Sequence, residues 1–302
     1  MNKLIVILGP TATGKTKLAA RLAAEFNGEI ISADSRQVYK RMNIGTGKDL
    51  NDYFQNGEKV NYHLIDIVEP NEEFSLYKFK LNFFIAYDDI IAKGKRPFLV
   101  GGTGMYLSAI INNYQLRKIE SEEGDYAKLN SLSIDELKNL LLTIKQSQHN
   151  ITDLIDKNRI IKAILVAKAS GNELDRNIST LIIGIKLDPS EVKKRITSRL
   201  EKRLDEGMID EVRMLLGDGV SYDKLNYFGL EYKFIAKYLK GELNYDEMFQ
   251  KLNSAIHSFG KRQMTWFRKM EKEGAIINWI NGNNFEEAKN IILLNQKITH
   301  SQ

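Results

Sequence analysis

The sequence predicts an α/β fold, a parallel sheet covered by helices. Three observations carry this. An apolar strand runs straight into a glycine-rich loop and a helix. Further short apolar runs alternate with helical periodicity over the first hundred or so residues. No stretch is long and apolar enough to span a membrane. The 302 residues suffice for one large domain or two modest ones, and a hydrophobic fraction of 43% suffices for a core. The absence of cysteine excludes disulfides and a cysteine-based zinc site, and it fits a reducing compartment. The net charge of +5 fits a solvated surface as well as a nucleic-acid partner.

The first strand is Leu4–Leu8, too short for a secretory signal. Gly9-Pro10-Thr11-Ala12-Thr13-Gly14-Lys15-Thr16 follows and fits the P-loop pattern G-x-x-x-x-G-K-[ST]. A helical run from Lys17 to Phe26 comes next, with Leu18, Ala19, Leu22, Ala23 and Phe26 on one face. The glycines let backbone N–H groups turn inward on a phosphate, and the helix N-terminus adds its dipole. Lys15 would neutralise terminal phosphate charge, and Thr16 would place a hydroxyl on a magnesium ion. The motif specifies phosphate and leaves the nucleotide open.

Further strands are expected at Glu29–Ser32, His63–Ile67 and Pro97–Val100, with a helix over Ser75–Ala92. Asp34 follows the second strand, which is expected beside the P-loop strand. Gly45-Thr46-Gly47-Lys48-Asp49 has no strand leading into it and reads as a loop. Gly101-Gly102-Thr103-Gly104 ends a strand, where it is either a ligand-binding loop or a plain strand-to-helix turn. From Tyr114 to Ser179 strand signals vanish. Asp135–Lys145 and Arg159–Ala169 read as helices, the first opened by Ser133 as cap with Glu136 three residues on. A strand returns at Thr180–Leu187, and after Pro189 the chain reads as helical almost to its end. The predicted architecture is a P-loop NTPase-like parallel sheet flanked by helices, residues 1–113 and 180–302, with an inserted helical subdomain at 114–179 and a helical C-terminal part.

Several segments together exceed a generic P-loop. They are Asp34-Ser35-Arg36-Gln37-Val38-Tyr39, Ile44-Gly45-Thr46-Gly47-Lys48, His63-Leu64-Ile65-Asp66-Ile67, Phe74-Ser75, Gly101-Gly102-Thr103-Gly104-Met105-Tyr106-Leu107 and Gly260-Lys261-Arg262-Gln263-Met264-Thr265-Trp266-Phe267-Arg268. In this order they resemble the tRNA dimethylallyltransferase (tRNA isopentenyltransferase) family. The resemblance is dense in the first 110 residues and around 190–270, and thin across 115–180. It implies transfer of a dimethylallyl group from dimethylallyl diphosphate to the exocyclic amine of the adenosine 3′ to the tRNA anticodon. The P-loop would then hold a diphosphate leaving group, with magnesium as cofactor.

The resemblance also implies roles. Asp34 would accept the amine proton. Read from the residues alone, Asp34 serves equally as a cap or a magnesium-shell carboxylate. Ser35, Arg36 and Gln37 match the stretch that meets the target nucleotide, and Thr103 a threonine near diphosphate and base. Arg199 matches the arginine that clamps the diphosphate; Arg195 and Arg203 share its helical face, and a solvated basic face is the competing reading for all three. Asn158-Arg159-Ile160-Ile161-Lys162 matches a tRNA-contacting segment of the inserted subdomain. Lys261 and Arg262 with Trp266 would serve the RNA backbone or the fold, with the fold preferred for Trp266. The expected partners are the tRNA anticodon stem-loop and dimethylallyl diphosphate, for a monomeric, cytoplasmic protein with no membrane contact.

The chain departs from the family pattern in two places. Where the family has R-x-x-G-Y-[KR], this chain reads Asn226-Tyr227-Phe228-Gly229-Leu230-Glu231; where Thr-Arg commonly precedes the Lys-Arg-Gln motif, it has His257-Ser258. The competing functions are a P-loop kinase, an isopentenyltransferase acting on free adenine nucleotide, and a family member that binds tRNA without chemistry.

Overall fold

The computed structural model describes residues 3–55, 57–118, 123–144, 156–168 and 174–300. It separates into two compact units, Met1–Asn113 with Asn177–Gln302, and Tyr114–Arg176. The larger unit begins with β1 (Leu4–Leu8), α1 (Lys15–Glu25) and β2 (Gly28–Ala33). A hairpin of β3 (Phe54–Gln55) and β4 (Glu58–Lys59) follows, then β5 (Tyr62–His63), α2 (Leu76–Ala92), β6 (Arg96–Gly101) and α3 (Gly104–Ile111). The smaller unit holds α4 (Glu123–Ser131), α5 (Ile134–Ile144) and α6 (Lys157–Lys168). The larger unit resumes with β7 (Thr180–Lys186), α7 (Pro189–Asp205), α8 (Met208–Gly217), α9 (Tyr222–Phe228), α10 (Leu230–Leu239), α11 (Tyr245–Lys272), β8 (Ile277–Asn281) and α12 (Phe285–His300).

Among the described residues the main sheet has the order β5-β2-β6-β1-β7-β8, and every neighbouring pair is parallel. Both faces are covered, so β1 is apolar at every position. Alternate residues serve opposite faces. Leu4, Val6 and Leu8 join the core under α2, α3 and α7–α11, whereas Ile5 and Ile7 join the core under α1 and α12. The α/β architecture therefore matches the expectation, with four corrections. β6 lies between β2 and β1, so Asp34 is one strand further from the P-loop than expected. The strand expected over His63–Ile67 shrinks to Tyr62–His63, because Leu64 and Asp66 take left-handed φ of 63° and 57° and break the ladder. The C-terminal part is not helical throughout: β8 pairs with β7, Ile183 opposite Asn278. The β3–β4 hairpin was not foreseen.

In the smaller unit α5 opens as expected. The Glu136 N–H donates to Ser133 Oγ at 3.3 Å, and the Ser133 N–H to Glu136 Oε2 at 2.7 Å. Leu129, Leu137, Leu141, Ile160, Ile161 and Ile164 form its own core. Lys145 and Ala169, the expected last residues of two helices, lie outside the described residues.

At the N-terminal end of β2 the sheet carries a buried charge. The Glu29 side chain is 1% exposed and meets Lys95 at 2.8 Å, His63 at 2.8 Å and Lys93 at 3.6 Å. Burial pushes its carboxyl up, but hydrogen bonds from Asn61, Lys95 and His63 outweigh that and hold it at about 2. Glu29, His63 and Asp89 are close enough together to hold a cation, but Lys93 already bridges Asp89 and Glu29. Glu29→Gln is expected to destabilise the fold by about 2 kcal/mol at pH 7, since it removes the one buried anion that the partly exposed Lys95, Lys93 and His63 share. A depressed carboxyl contributes stability above its ordinary value and loses it as the pH falls toward its folded value. The gap between parent and variant in urea denaturation should therefore be full at pH 7 and narrow as the pH falls below 4.5 toward about 2.

Candidate active site

The loops at the carboxyl ends of β1, β2 and β6 converge on one edge of the sheet, where open α/β sheets bind ligands. From β1 the chain enters the P-loop. Thr13 is buried and its hydroxyl donates to the Pro10 carbonyl at 2.9 Å; Lys15 Nζ donates to the same oxygen at 2.7 Å. α1 starts at Lys15, two residues earlier than expected, which sets Lys15 and Thr16 in its first turn. Burial, and then the charge of Arg199, push the Lys15 ammonium down to about 7, against the pull of Asp34.

From β2 the chain turns sharply at Asp34. Its Oδ1 accepts from the Arg36 N–H at 2.8 Å and the Gln37 N–H at 3.4 Å, so Asp34 does act as a cap. That duty occupies one oxygen, and among the described residues Oδ2 makes no hydrogen bond. The Ser35 N–H donates to Thr103 Oγ1 at 3.1 Å, which joins the β2 loop to the β6 loop. Gln37 accepts from Ser32 Oγ at 3.1 Å and donates to the Gly47 carbonyl at 3.0 Å. The Arg36 guanidinium lies 4.9 Å from the centre of the half-exposed Tyr227 ring.

From α7 come the arginines. Arg199 Nη2 meets Asp49 Oδ2 at 2.7 Å. Arg199 and Arg203 line a small cavity with Thr11 and Ala12 of the P-loop and with Glu231. Arg195 binds Glu191 at 2.7 Å on the surface, so it is the solvated one of the three. Asn226 is exposed on α9, and His257 stands 3.4 Å from Thr197 Oγ1.

Three residues that organise the site escaped sequence reasoning as individuals. Gln263, buried on α11, accepts from the Thr11 N–H at 2.8 Å and donates to the Gly102 carbonyl at 2.9 Å, tying the two glycine loops together. Glu211, buried on α8, accepts from the N–H groups of Asn43, Ile44 and Gly45 at 2.7, 2.7 and 3.0 Å, and from Tyr232 Oη at 2.7 Å. Lys48 is buried and donates to the Tyr39 carbonyl at 2.6 Å and to Asp66. Trp266 belongs to the fold, as expected: it packs on Gly104, where a side chain would strike its ring, and donates to Ser108 Oγ at 2.9 Å. Lys261 and Arg262 are exposed.

In the smaller unit Asn158, Arg159 and Lys162 are exposed. Ile160 and Ile161 are not available to a partner: both are 0% exposed in that unit's core, because the helical period turns them inward with Ile164.

A family model described as IPP transferase matches residues 37–270. The chain belongs to the IPP transferase family. It is 48% identical over 299 residues to tRNA dimethylallyltransferase 2 of Pelobacter propionicus, covering 97% of this chain and 94% of that protein. It is 47% identical to tRNA dimethylallyltransferase 2 of Bacteroides fragilis, covering 92% of each. The crystal structure of the full-length tRNA isopentenylpyrophosphate transferase from Bacillus halodurans superposes with a TM-score of 0.70 at 32% identity, over 99% of this chain and 96% of that one. No described helix is long and apolar enough to cross a membrane.

Proposed function

We propose that this member of the family transfers a dimethylallyl group from dimethylallyl diphosphate to the exocyclic amine of the adenosine 3′ to the tRNA anticodon, releasing diphosphate. The observation that carries the reading is the pairing of two groups at one sheet edge. One is a cationic phosphate loop around Lys15 and Arg199; the other is a carboxylate, Asp34, with one oxygen fixed and one open. The names of the relatives support the donor and the acceptor.

In this reading the allylic carbon–oxygen bond breaks and its electron pair goes to the diphosphate. The P-loop N–H groups, Lys15 and Arg199 stabilise the charge that builds there. The amine forms the new carbon–nitrogen bond and gives its proton to Asp34 Oδ2. Thr103 holds the β2 loop through Ser35 and so positions Asp34. Arg36 and Gln37 stand beside the target base. The Thr16 hydroxyl, in the first turn of α1 beside the phosphate loop, is a hard oxygen donor of the kind magnesium takes and would hold such an ion. When bound, it would neutralise diphosphate charge. Asn158, Arg159 and Lys162 of the smaller unit, with Lys261 and Arg262 of the larger, meet the tRNA backbone. Salt should therefore weaken tRNA binding in filter or calorimetric titrations, and a flat response would remove the RNA partner.

The deciding assay offers the protein dimethylallyl diphosphate and magnesium, with unmodified tRNA or AMP as acceptor and no nucleoside triphosphate. Prenylated adenosine in the tRNA is the expected product. Product on AMP alone would make the protein a small-molecule prenyltransferase. A strict requirement for a nucleoside triphosphate would make it a kinase, and tRNA binding without product would make it a binding protein.

A further inference from the structure

Arg203 stands one helical turn beyond Arg199 on α7, and its environment is unusual for a guanidinium. Its Nη2 atom is buried and has no hydrogen-bond partner among the described residues. The nearest carboxylate on the facing helix, Glu231, forms no ion pair with it, although both line the cavity beside Thr11 and Ala12. That cavity measures about 20 Å³, room for one water-sized group such as a single phosphoryl oxygen. The charge is poorly accommodated without a ligand. Burial, and then the neighbouring charge of Arg199, push the Arg203 guanidinium down to about 10. Burial pushes the Glu231 carboxyl up, against the pull of Arg203.

The floor of the arrangement is Gly47. A Cβ there would overlap the Nη2 atoms of both Arg203 and Arg199, and with φ at 65° the position disfavours any side chain. Two guanidinium ends therefore lie side by side over one glycine, and among the described residues only Arg199 of the two has an anionic partner, Asp49. A buried donor left without a partner costs free energy, more so when charged. A bound anion that completes it is one way such a group is satisfied. Two adjacent guanidiniums with an open cavity and a phosphate loop beside them match the spaced oxygens of a phosphorylated anion.

We propose that Arg203 is a second guanidinium ligand of the diphosphate, forming with Arg199 a fork over Gly47, and that Glu231 faces this fork as its counter-charge. The proposal rests on reading the P-loop edge as a diphosphate site and adds to it a binding residue and a charge that opposes binding. Arg203 supplies donors to the leaving group. Glu231, uncommitted in an ion pair, lowers the affinity for diphosphate and so favours its release after transfer.

The test uses the full chain, with magnesium and inorganic pyrophosphate as the probe, by calorimetry at pH 8. Arg203→Met keeps the length of the side chain and removes the donors. It should raise the pyrophosphate Kd at least tenfold, equivalent to about 1.4 kcal/mol. The KM for dimethylallyl diphosphate should rise in step, and tRNA affinity should stay unchanged. Glu231→Gln should act in the opposite direction and tighten pyrophosphate about threefold. A folded Arg203→Met that binds pyrophosphate within twofold of the parent would overturn the proposal. So would a Glu231→Gln that binds no tighter, and this second arm decides the matter alone if Arg203→Met does not fold. A parent that binds pyrophosphate without prenylating any acceptor removes the functional reading and leaves Arg203 in place. A parent that prenylates tRNA while Arg203→Met binds normally removes only the Arg203 assignment.

Discussion

Asp34→Asn lowers kcat by about 100-fold or more, with Kd for both substrates and the melting temperature nearly unchanged. A general base is worth roughly 10²–10⁴ in rate, and the geometry allows that loss to be isolated. The capping duty of Asp34 falls on Oδ1, which accepts the Arg36 N–H at 2.8 Å. An asparagine oxygen can accept the same bond, so the turn that carries Arg36 and Gln37 survives. What asparagine cannot do is take a proton. An adenine amine is a poor nucleophile because its lone pair is delocalised into the ring, and it gains from an acceptor that takes the proton as the new bond forms. Single-turnover kinetics with saturating tRNA measures this step directly. A variant of lower stability and near-normal turnover would reduce Asp34 to its cap. Rescue by excess magnesium would move it to the metal shell.

Lys15→Ala should lower kcat/KM for dimethylallyl diphosphate by about 10³-fold or more, the upper range for removing one donor aimed at developing charge. The fold should not suffer. Burial, and then the charge of Arg199, push the Lys15 ammonium down to about 7, so its charge is held there at a cost to the fold. Alanine removes that cost, and thermal denaturation of the variant should give a Tm at or above that of the parent. Near-normal transfer by a folded Lys15→Ala would remove the phosphate-site assignment.

The parts of the fold that were legible in the sequence are those whose signal is local. Leu4–Leu8 running into Gly9–Thr16 announces its strand, loop and helix within about twenty residues, because each element needs its own periodicity and its own glycines. β8 was hidden for the opposite reason. Ile277–Asn281 is five residues long and follows the 28-residue α11, and only its neighbour β7 makes it a strand. Ile160 and Ile161 share a basic stretch with Arg159 and Lys162 along the chain, but the helical period turns these two inward, and a linear motif does not show that. Gln263 and Glu211 gave no individual signal, because the loops they hold lie far away in the sequence, and Lys48 gave none because its nearer partners, Tyr39 and Asp66, meet it only once their loops fold together. Buried polar residues of this kind show their purpose only once the chain has closed on them.

Gln263 has a consequence for how the protein is made. Its hydrogen bond to Thr11 spans 252 positions, and its bond to Gly102 spans 161. A ribosome releases the P-loop strand and helix early, yet the amide that fixes the loop leaves the tunnel only when most of the chain has been synthesised. Until then the Thr11 N–H lacks its partner, and the two glycine loops are not joined. Closing contacts across so many residues is slow compared with forming local helices. The nascent chain therefore carries an assembled sheet edge well before it carries a competent pocket, and a product truncated before α11 would keep its phosphate motif in sequence but not in shape.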